Sequence, residues 1–139
     1  MRAVTAGYSG TPLPRKLGIK EDHRVGLVRA PESFQSTLGE LPAGVSLASG
    51  RLRAPLNVIV AFFTERRELE RRLATLIGLL DPAGGLWIAW PKRASGVASD
   101  VSEGIVRELG LAAGVVDNKV CAIDETWSGL RLVIRLRDR

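Results

Sequence analysis

Two short stretches carry most of the side chains able to do chemistry. Pro91-Lys92-Arg93-Ala94-Ser95-Gly96 supplies two cations and a hydroxyl, and Asp124-Glu125-Thr126-Trp127-Ser128-Gly129 supplies two carboxylates, two hydroxyls and an indole. Brought to one rim, Lys92 and Arg93 would hold an anion and Trp127 would stack on a ring, with the hydroxyls of Ser95 and Thr126 beside them. Asp124 or Glu125 would then serve as general base or polar anchor. The same residues have a plainer use: Lys92 paired with Asp124 or Glu125, Trp127 as a hydrophobic lid, and Ser128-Gly129 as a hairpin turn.

Other chemistries find few residues. The single histidine, His23, stands just before the first expected strand, the wrong end of a parallel sheet for a site, and reads as a surface or turn residue. Neither a histidine metal site nor a Ser-His-Asp triad can be built from this chain alone, so no metal is expected. The lone Cys121, within Val120-Cys121-Ala122-Ile123, has no partner for a disulfide and reads as a buried, inert thiol. A nucleotide or adenosyl cofactor held in the usual way needs a glycine-rich turn after the first strand. Here that turn is Arg29-Ala30-Pro31-Glu32-Ser33, without glycine and with one N–H removed by Pro31, so no cofactor is expected.

These stretches need a scaffold, and the bulk properties describe one. A chain of 139 residues with 45% apolar and 25% charged residues suits one globular domain spanning residues 1–139. The apolar run Val58–Phe63 is far shorter than the roughly 20 residues of a bilayer span. Met1–Gly7 lacks the pattern of a secretory signal, so the expected location is cytoplasmic. The net charge of +5 invites a polyanion, but the basic residues are scattered among acids and apolar residues. Nucleic-acid binding therefore ranks third among the readings.

Patterning along the chain predicts an α/β domain: small, Rossmann-like, three-layered, with a mostly parallel sheet and an antiparallel C-terminal strand. Residues 1–20 form a turn and short helix, Pro12–Leu17, laid over the domain, with Thr11 as cap. Arg24–Val28 is a strand, Pro31 to Leu38 a brief helix, and Val45–Ala48 an edge strand. Leu56–Phe63 (LNVIVAFF) is a continuous apolar run of strand length, as expected of a strand covered on both faces. Thr64 caps a helix burying Leu69, Leu73, Leu76, Ile77 and Leu80, with Glu68 and Arg72 as an i,i+4 pair. Asp81-Pro82-Ala83-Gly84-Gly85 ends that helix and Leu86–Trp90 is the next strand, with Trp87 and Trp90 in the core.

After a loop at Pro91–Ala98, Asp100 and Glu103 form a capping box for a helix burying Val101, Ile105 and Leu109, broken at Gly110 and Gly114. Lys119–Ile123 and Leu130–Leu136 pair antiparallel across Asp124–Gly129, the second being an outer strand guarded by Arg131, Arg135 and Arg137.

The runs Gly7-Tyr8-Ser9-Gly10-Thr11-Pro12-Leu13, Leu86 to Gly96 (LWIAWPKRASG) and Asp117 to Arg131 (DNKVCAIDETWSGLR) together resemble a bacterial domain-of-unknown-function family. That resemblance covers nearly the whole chain and implies no activity. In architecture, Leu56–Trp90 with the antiparallel C-terminal pair is similar to the second half of adenosylmethionine-dependent methyltransferases, without their glycine-rich loop and with Ser49-Gly50 where they carry an acidic residue. The sequence thus supports a non-catalytic binding or regulatory module engaging a small anionic ligand or a protein partner at the rim 91–96/124–129. The alternative is a degenerate methyltransferase-like or other transferase using the same rim. No membrane partner is expected, and the oligomeric state is left open.

Overall fold

The computed structural model describes residues 10–139. The turn expected at Gly7-Tyr8-Ser9 lies outside the described residues, as does Met1–Gly7. Six strands form one sheet: β1 (Arg24–Val28), β2 (Ser46–Ala48), β3 (Leu56–Phe62), β4 (Leu80–Pro91), β5 (Val115–Ala122) and β6 (Trp127–Ile134), in the order β2-β1-β3-β4-β6-β5. The first four are parallel, whereas β6 is antiparallel to both β4 and β5. This is the mixed α/β sheet the patterning predicts. One placement differs: β6 is interior, and the outer strands are β2 and β5.

Helices α1 (Leu13–Lys16) and α2 (Phe34–Leu38) cover one face, and α3 (Arg66–Gly78) and α4 (Glu103–Ala112) the other. Two cores result, and β3 feeds both. Val58, Val60 and Phe62 pack with Leu13, Leu17, Phe34 and Leu38, while Leu56, Ile59, Ala61 and Phe63 pack with Leu69, Leu73, Leu76 and Val106. This double duty is why the run LNVIVAFF lacks polar alternation. In β4, Leu86, Ile88 and Trp90 join the α3/α4 core, and Trp87 and Ala89 join the other. Trp87 is fully buried, and its indole N–H donates to the Leu17 carbonyl at 2.9 Å, which ties α1 to the sheet.

Several local expectations are corrected. The segment Asp81–Gly85 does not merely end α3; it already belongs to β4, with Leu80 opposite Leu56 and Gly85 opposite Val58 across a bulge. Asp81 Oδ1 accepts from Ala83 N at 3.0 Å, and a Cβ on Gly84 would stand 2.7 Å from the Asn57 carbonyl oxygen, so the bulged chain passes only with glycine there. Thr64 does not cap α3. Its N-cap is Glu65, without a side-chain bond, and Asp100 Oδ1 supplies the missing acceptor by taking the Arg66 N–H at 2.7 Å. With Asp100 so engaged, Ser102 is the N-cap of α4, accepting from Ile105 N at 3.4 Å.

Gly110 does not break α4; it lies inside it, buried, where a Cβ would meet a Leu132 methyl at 2.9 Å, so the glycine lets helix and sheet approach closely. The buried residues of α4 are Val106 and Gly110, with Val101 buried ahead of the helix and Leu109 partly so. Glu68 pairs with Arg71 rather than Arg72, and Arg66 pairs with Glu70. Strands β5 and β6 begin at Val115 and Trp127, earlier than the residues Lys119 and Leu130 read from the pattern, and Leu136 lies beyond β6, exposed. Cys121 is half-buried, and burial pushes its thiol pKa up against the opposing pull of Lys16 and Lys119. Among the described residues no polar or charged side chain is buried, so chemistry is confined to the sheet's ends and surfaces. No helix among them is long and apolar enough to cross a membrane.

Candidate functional site

The carboxyl ends of the parallel strands share one edge, where open α/β sheets place their ligands. The rim read from the sequence sits there. Because β5 runs in the same direction as β4, the turn after β5 lies beside the end of β4, and Pro91 pairs with Trp127. Lys92 Nζ donates to the Asp124 carbonyl at 2.7 Å, and Lys92 N to the Thr126 carbonyl, also at 2.7 Å. Lys92 thus pairs with the backbone rather than with the Asp124 or Glu125 carboxylate. Asp124 Oδ1 accepts the N–H groups of Thr126 and Trp127, each at 2.8 Å, and so shapes the turn. Ser95 Oγ donates to the Lys92 carbonyl at 2.7 Å and accepts from Val97 N.

Five of the seven rim residues, Lys92, Ser95, Asp124, Thr126 and Trp127, are therefore drawn into one internally bonded corner. Arg93 and Glu125 are exposed, and among the described residues no hydrogen bond or ion pair engages their side chains. Trp127 is partly buried, its ring edge-on to Phe62 at a centroid distance of 5.1 Å. Removing the Asp124 carboxylate strands two backbone N–H groups. Asp124→Ala is accordingly expected to lower stability by about 1–3 kcal/mol in a urea titration. Asp124→Asn, which keeps one acceptor oxygen, should recover most of it; a general-base role alone would leave stability unmoved in both variants.

A second feature on this edge is concave. Strand β1 leads leftward through α2 to β2, whereas its neighbour β3 leads through α3 to β4 on the opposite face, which makes the gap between β1 and β3 the switch point of the sheet. A cavity of about 420 Å³ opens beside it, lined by Val28, Arg29, Phe34, Ser49 and Arg72 among others. That volume lies in the range of small-molecule sites, about 300–1,000 Å³. Arg29 adopts φ 56°, the left-handed conformation usually left to glycine. Such strain persists where the surroundings over-determine it, and it gathers at ligand sites.

The sequence marks the turn Arg29–Ser33 and Ser49-Gly50 only as positions lacking the usual cofactor residues, and it gives no sign that Arg29, Ser49 and Arg72 share one cavity. The missing signal is strand order: without knowing that β3 flanks β1, no switch point can be placed. Phe62 joins the crevice to the rim, since its ring meets Phe34 edge-on at 5.0 Å on one side and Trp127 on the other.

No protein-family model and no curated protein matches the chain. Solved structures do. A SAM-dependent methyltransferase from Aquifex aeolicus aligns with a TM-score of 0.63 at 18% identity, over 87% of each chain. The fibrillarin pre-rRNA processing protein of Methanococcus jannaschii aligns with a TM-score of 0.57 at 13% identity, over 89% of this chain and 69% of that one. The chain has a Rossmann-like methyltransferase fold. A putative methyltransferase from Thermoplasma acidophilum shares the fold at 8% identity, TM-score 0.56, over 85% of this chain and 70% of that one. The methyltransferase likeness therefore extends over nearly the whole chain, not only the half from Leu56 onward. The sheet itself sets the crevice beside β1 and the rim after β4 on one edge, its carboxyl edge.

Proposed function

We propose that this chain is a methyltransferase-like protein that binds a small ligand, a flat ring carrying an anionic arm, in the crevice at the carboxyl ends of β1 and β2. One observation carries the reading. The concave space beside the switch point sets two guanidinium side chains, Arg29 and Arg72, and the exposed Glu32 carboxylate around a floor to which the buried Leu27, Val28 and Phe34 show only their edges. Ring and anion are what such a lining accommodates. The shared fold favours this transferase-like reading over a purely non-catalytic module, and the cavity favours the crevice over the rim as its seat.

S-adenosyl-L-methionine, natively bound in the fibrillarin of Aeropyrum pernix, is the ligand the fold suggests. The crevice does not fit it in the usual manner. The turn Arg29-Ala30-Pro31-Glu32-Ser33 offers no glycine for close approach, and Ser49-Gly50 stand where an acidic side chain would hold a ribose. Arg29 and Arg72 oppose a sulfonium cation, against the smaller opposite pull of the single carboxylate of Glu32 on the same lining. The crevice is therefore read as a ligand-binding site whose contacts differ from those usual for adenosylmethionine. A neutral thioether or a phosphate carries no such penalty.

Thermal unfolding and calorimetric titration with adenosylmethionine, adenosylhomocysteine and AMP test the proposal. A ligand at a hundred times its dissociation constant adds about 2.7 kcal/mol. Adenosylhomocysteine or AMP is expected to raise the midpoint more than adenosylmethionine does. Arg29→Gly, which removes the guanidinium while relieving the left-handed strain, and Arg72→Ala should each weaken binding about tenfold, the loss of one charged contact. If no compound binds, the small-ligand reading fails.

The second reading, a binding or regulatory module meeting its anionic ligand or protein partner at the rim, draws on the exposed Arg93 and Glu125. Binding that survives both crevice variants and is lost in Arg93→Ala would move the site there.

A further inference from the structure

At the opposite, amino-terminal edge of the sheet, Lys16, Lys20, Lys119 and Arg131 line a cavity of about 480 Å³ together with His23 and Asp81. Open α/β sheets do not usually place ligands at this end, and the proposed crevice site does not involve it. The charge balance is one-sided. Among the described residues Asp81 is the only carboxylate lining the cavity, against Lys20, Lys119 and Arg131, the Lys16 ammonium being turned to the Ala122 carbonyl at the far end of β5, and the Asp81 Oδ1 is already turned to the Ala83 N–H at 3.0 Å.

Arg131 is the centre of this arrangement. It projects from β6, opposite Trp87 of β4, and its guanidinium lies over Gly85, where a Cβ would come within 2.7 Å of Cζ. The glycine of the β4 bulge thus clears a slot for the guanidinium, as Gly84 clears one for the neighbouring backbone. Among the described residues the Arg131 side chain has one long hydrogen bond, Nη1 to Asn118 Oδ1 at 3.4 Å, and no ion pair with a carboxylate. Burial, with Arg139 nearby, pulls its pKa below the usual arginine value. A half-buried guanidinium without a counter-charge is costly to maintain unless something anionic meets it.

The surrounding cations are held in place. Lys119 Nζ donates to the Lys16 carbonyl at 2.8 Å, and Lys16 Nζ to the Ala122 carbonyl at 3.3 Å, so α1 and β5 are laced by two ammonium groups that carbonyl dipoles satisfy but do not neutralise. A bulge between Asp117 and Lys119 turns this part of β5. His23 Nδ1 accepts from Lys20 N at 3.1 Å.

We propose that this cavity binds a phosphate-bearing small molecule, at a site separate from the crevice. The concave shape and single-ligand volume select a small molecule over a polymer, because scattered surface cations would suffice for the latter. Calorimetric titration of the full chain with inorganic pyrophosphate at low ionic strength is the test, with a single-stranded RNA oligonucleotide as the second probe. Saturable binding of pyrophosphate at one site is expected. Arg131→Gln and Lys119→Gln should each weaken it at least tenfold, and Arg72→Ala should leave it unchanged. Lys119 is exposed, so its variant reports on the site even if Arg131→Gln folds poorly. Absence of saturable binding, equal binding by Lys119→Gln, or loss confined to Arg72→Ala would each overturn the proposal. RNA binding far tighter than pyrophosphate, lost in the same variants, would overturn the ligand class in favour of nucleic acid.

Discussion

Replacing Trp87 by alanine is expected to lower the unfolding free energy by about 3–5 kcal/mol, a large share of the roughly 5–15 kcal/mol that typically separates folded from unfolded domains. The residue is fully buried between the sheet and α1, and a Cβ on Gly129 of the next strand would stand only 3.1 Å from its ring. Truncation leaves a cavity on the α1/α2 side and removes the donor to the Leu17 carbonyl. Trp87→Phe separates the two effects, since it keeps much of the ring and loses the N–H; its cost should fall to about 1–3 kcal/mol. Urea titrations followed by circular dichroism measure both. Amide exchange in α1 should quicken in the Phe variant well before the rest of the chain responds. An alanine variant that loses less than about 1 kcal/mol would mean that α1 is held by something other than this side chain.

Phe62→Ala is expected to cost a similar amount, about 3–5 kcal/mol, by a different route. Phe62 ends β3, and its ring contacts Phe34 and Trp127 edge-on, each pair contributing about 0.5–1.5 kcal/mol beyond simple burial. Because α2 is only five residues long and buries just Phe34 and Leu38, losing the Phe34 partner frees the wall of the crevice. Phe62→Leu conserves apolarity but not the ring. It should unfold less readily than the alanine variant, yet bind the crevice ligand more weakly than wild type and shift to the red the summed tryptophan emission, in which Trp127 is the most exposed of the three indoles. Unchanged emission and unchanged affinity in Phe62→Leu would show that the ring contacts do not position either site.

The fold was legible where one strand alone determined its own pattern. LNVIVAFF announced a strand covered on both faces, and Leu69, Leu73 and Leu76 announced the buried stripe of α3. Segments whose conformation depends on a distant neighbour were read less well. Gly84 and Gly85 resemble a turn in sequence, but they serve the Asn57 backbone and the Arg131 guanidinium, residues 27 and 46 positions away. Gly110 resembles a helix stop, but it answers to Leu132.

The rim was assembled as expected because β4 and β5 point the same way. Its internal bonding was not, since nothing in Asp124-Glu125-Thr126-Trp127 says whether the carboxylate will face a ligand or its own turn. Arg72, matched by spacing with Glu68, lines the crevice instead. Arg131, read as a guard on an outer strand, lies on an interior one over a glycine.

The Asp100 bond to the first turn of α3 bears on the order in which the chain can acquire structure. That turn lacks any side-chain acceptor of its own, and the one it uses arrives 34 residues later. A helix of 13 residues is marginal alone in water. The start of α3 is therefore expected to stay frayed until the loop that carries Asp100 has folded back onto it, and Asp100→Ala should quicken amide exchange in that first turn while leaving the rest of α3 slow.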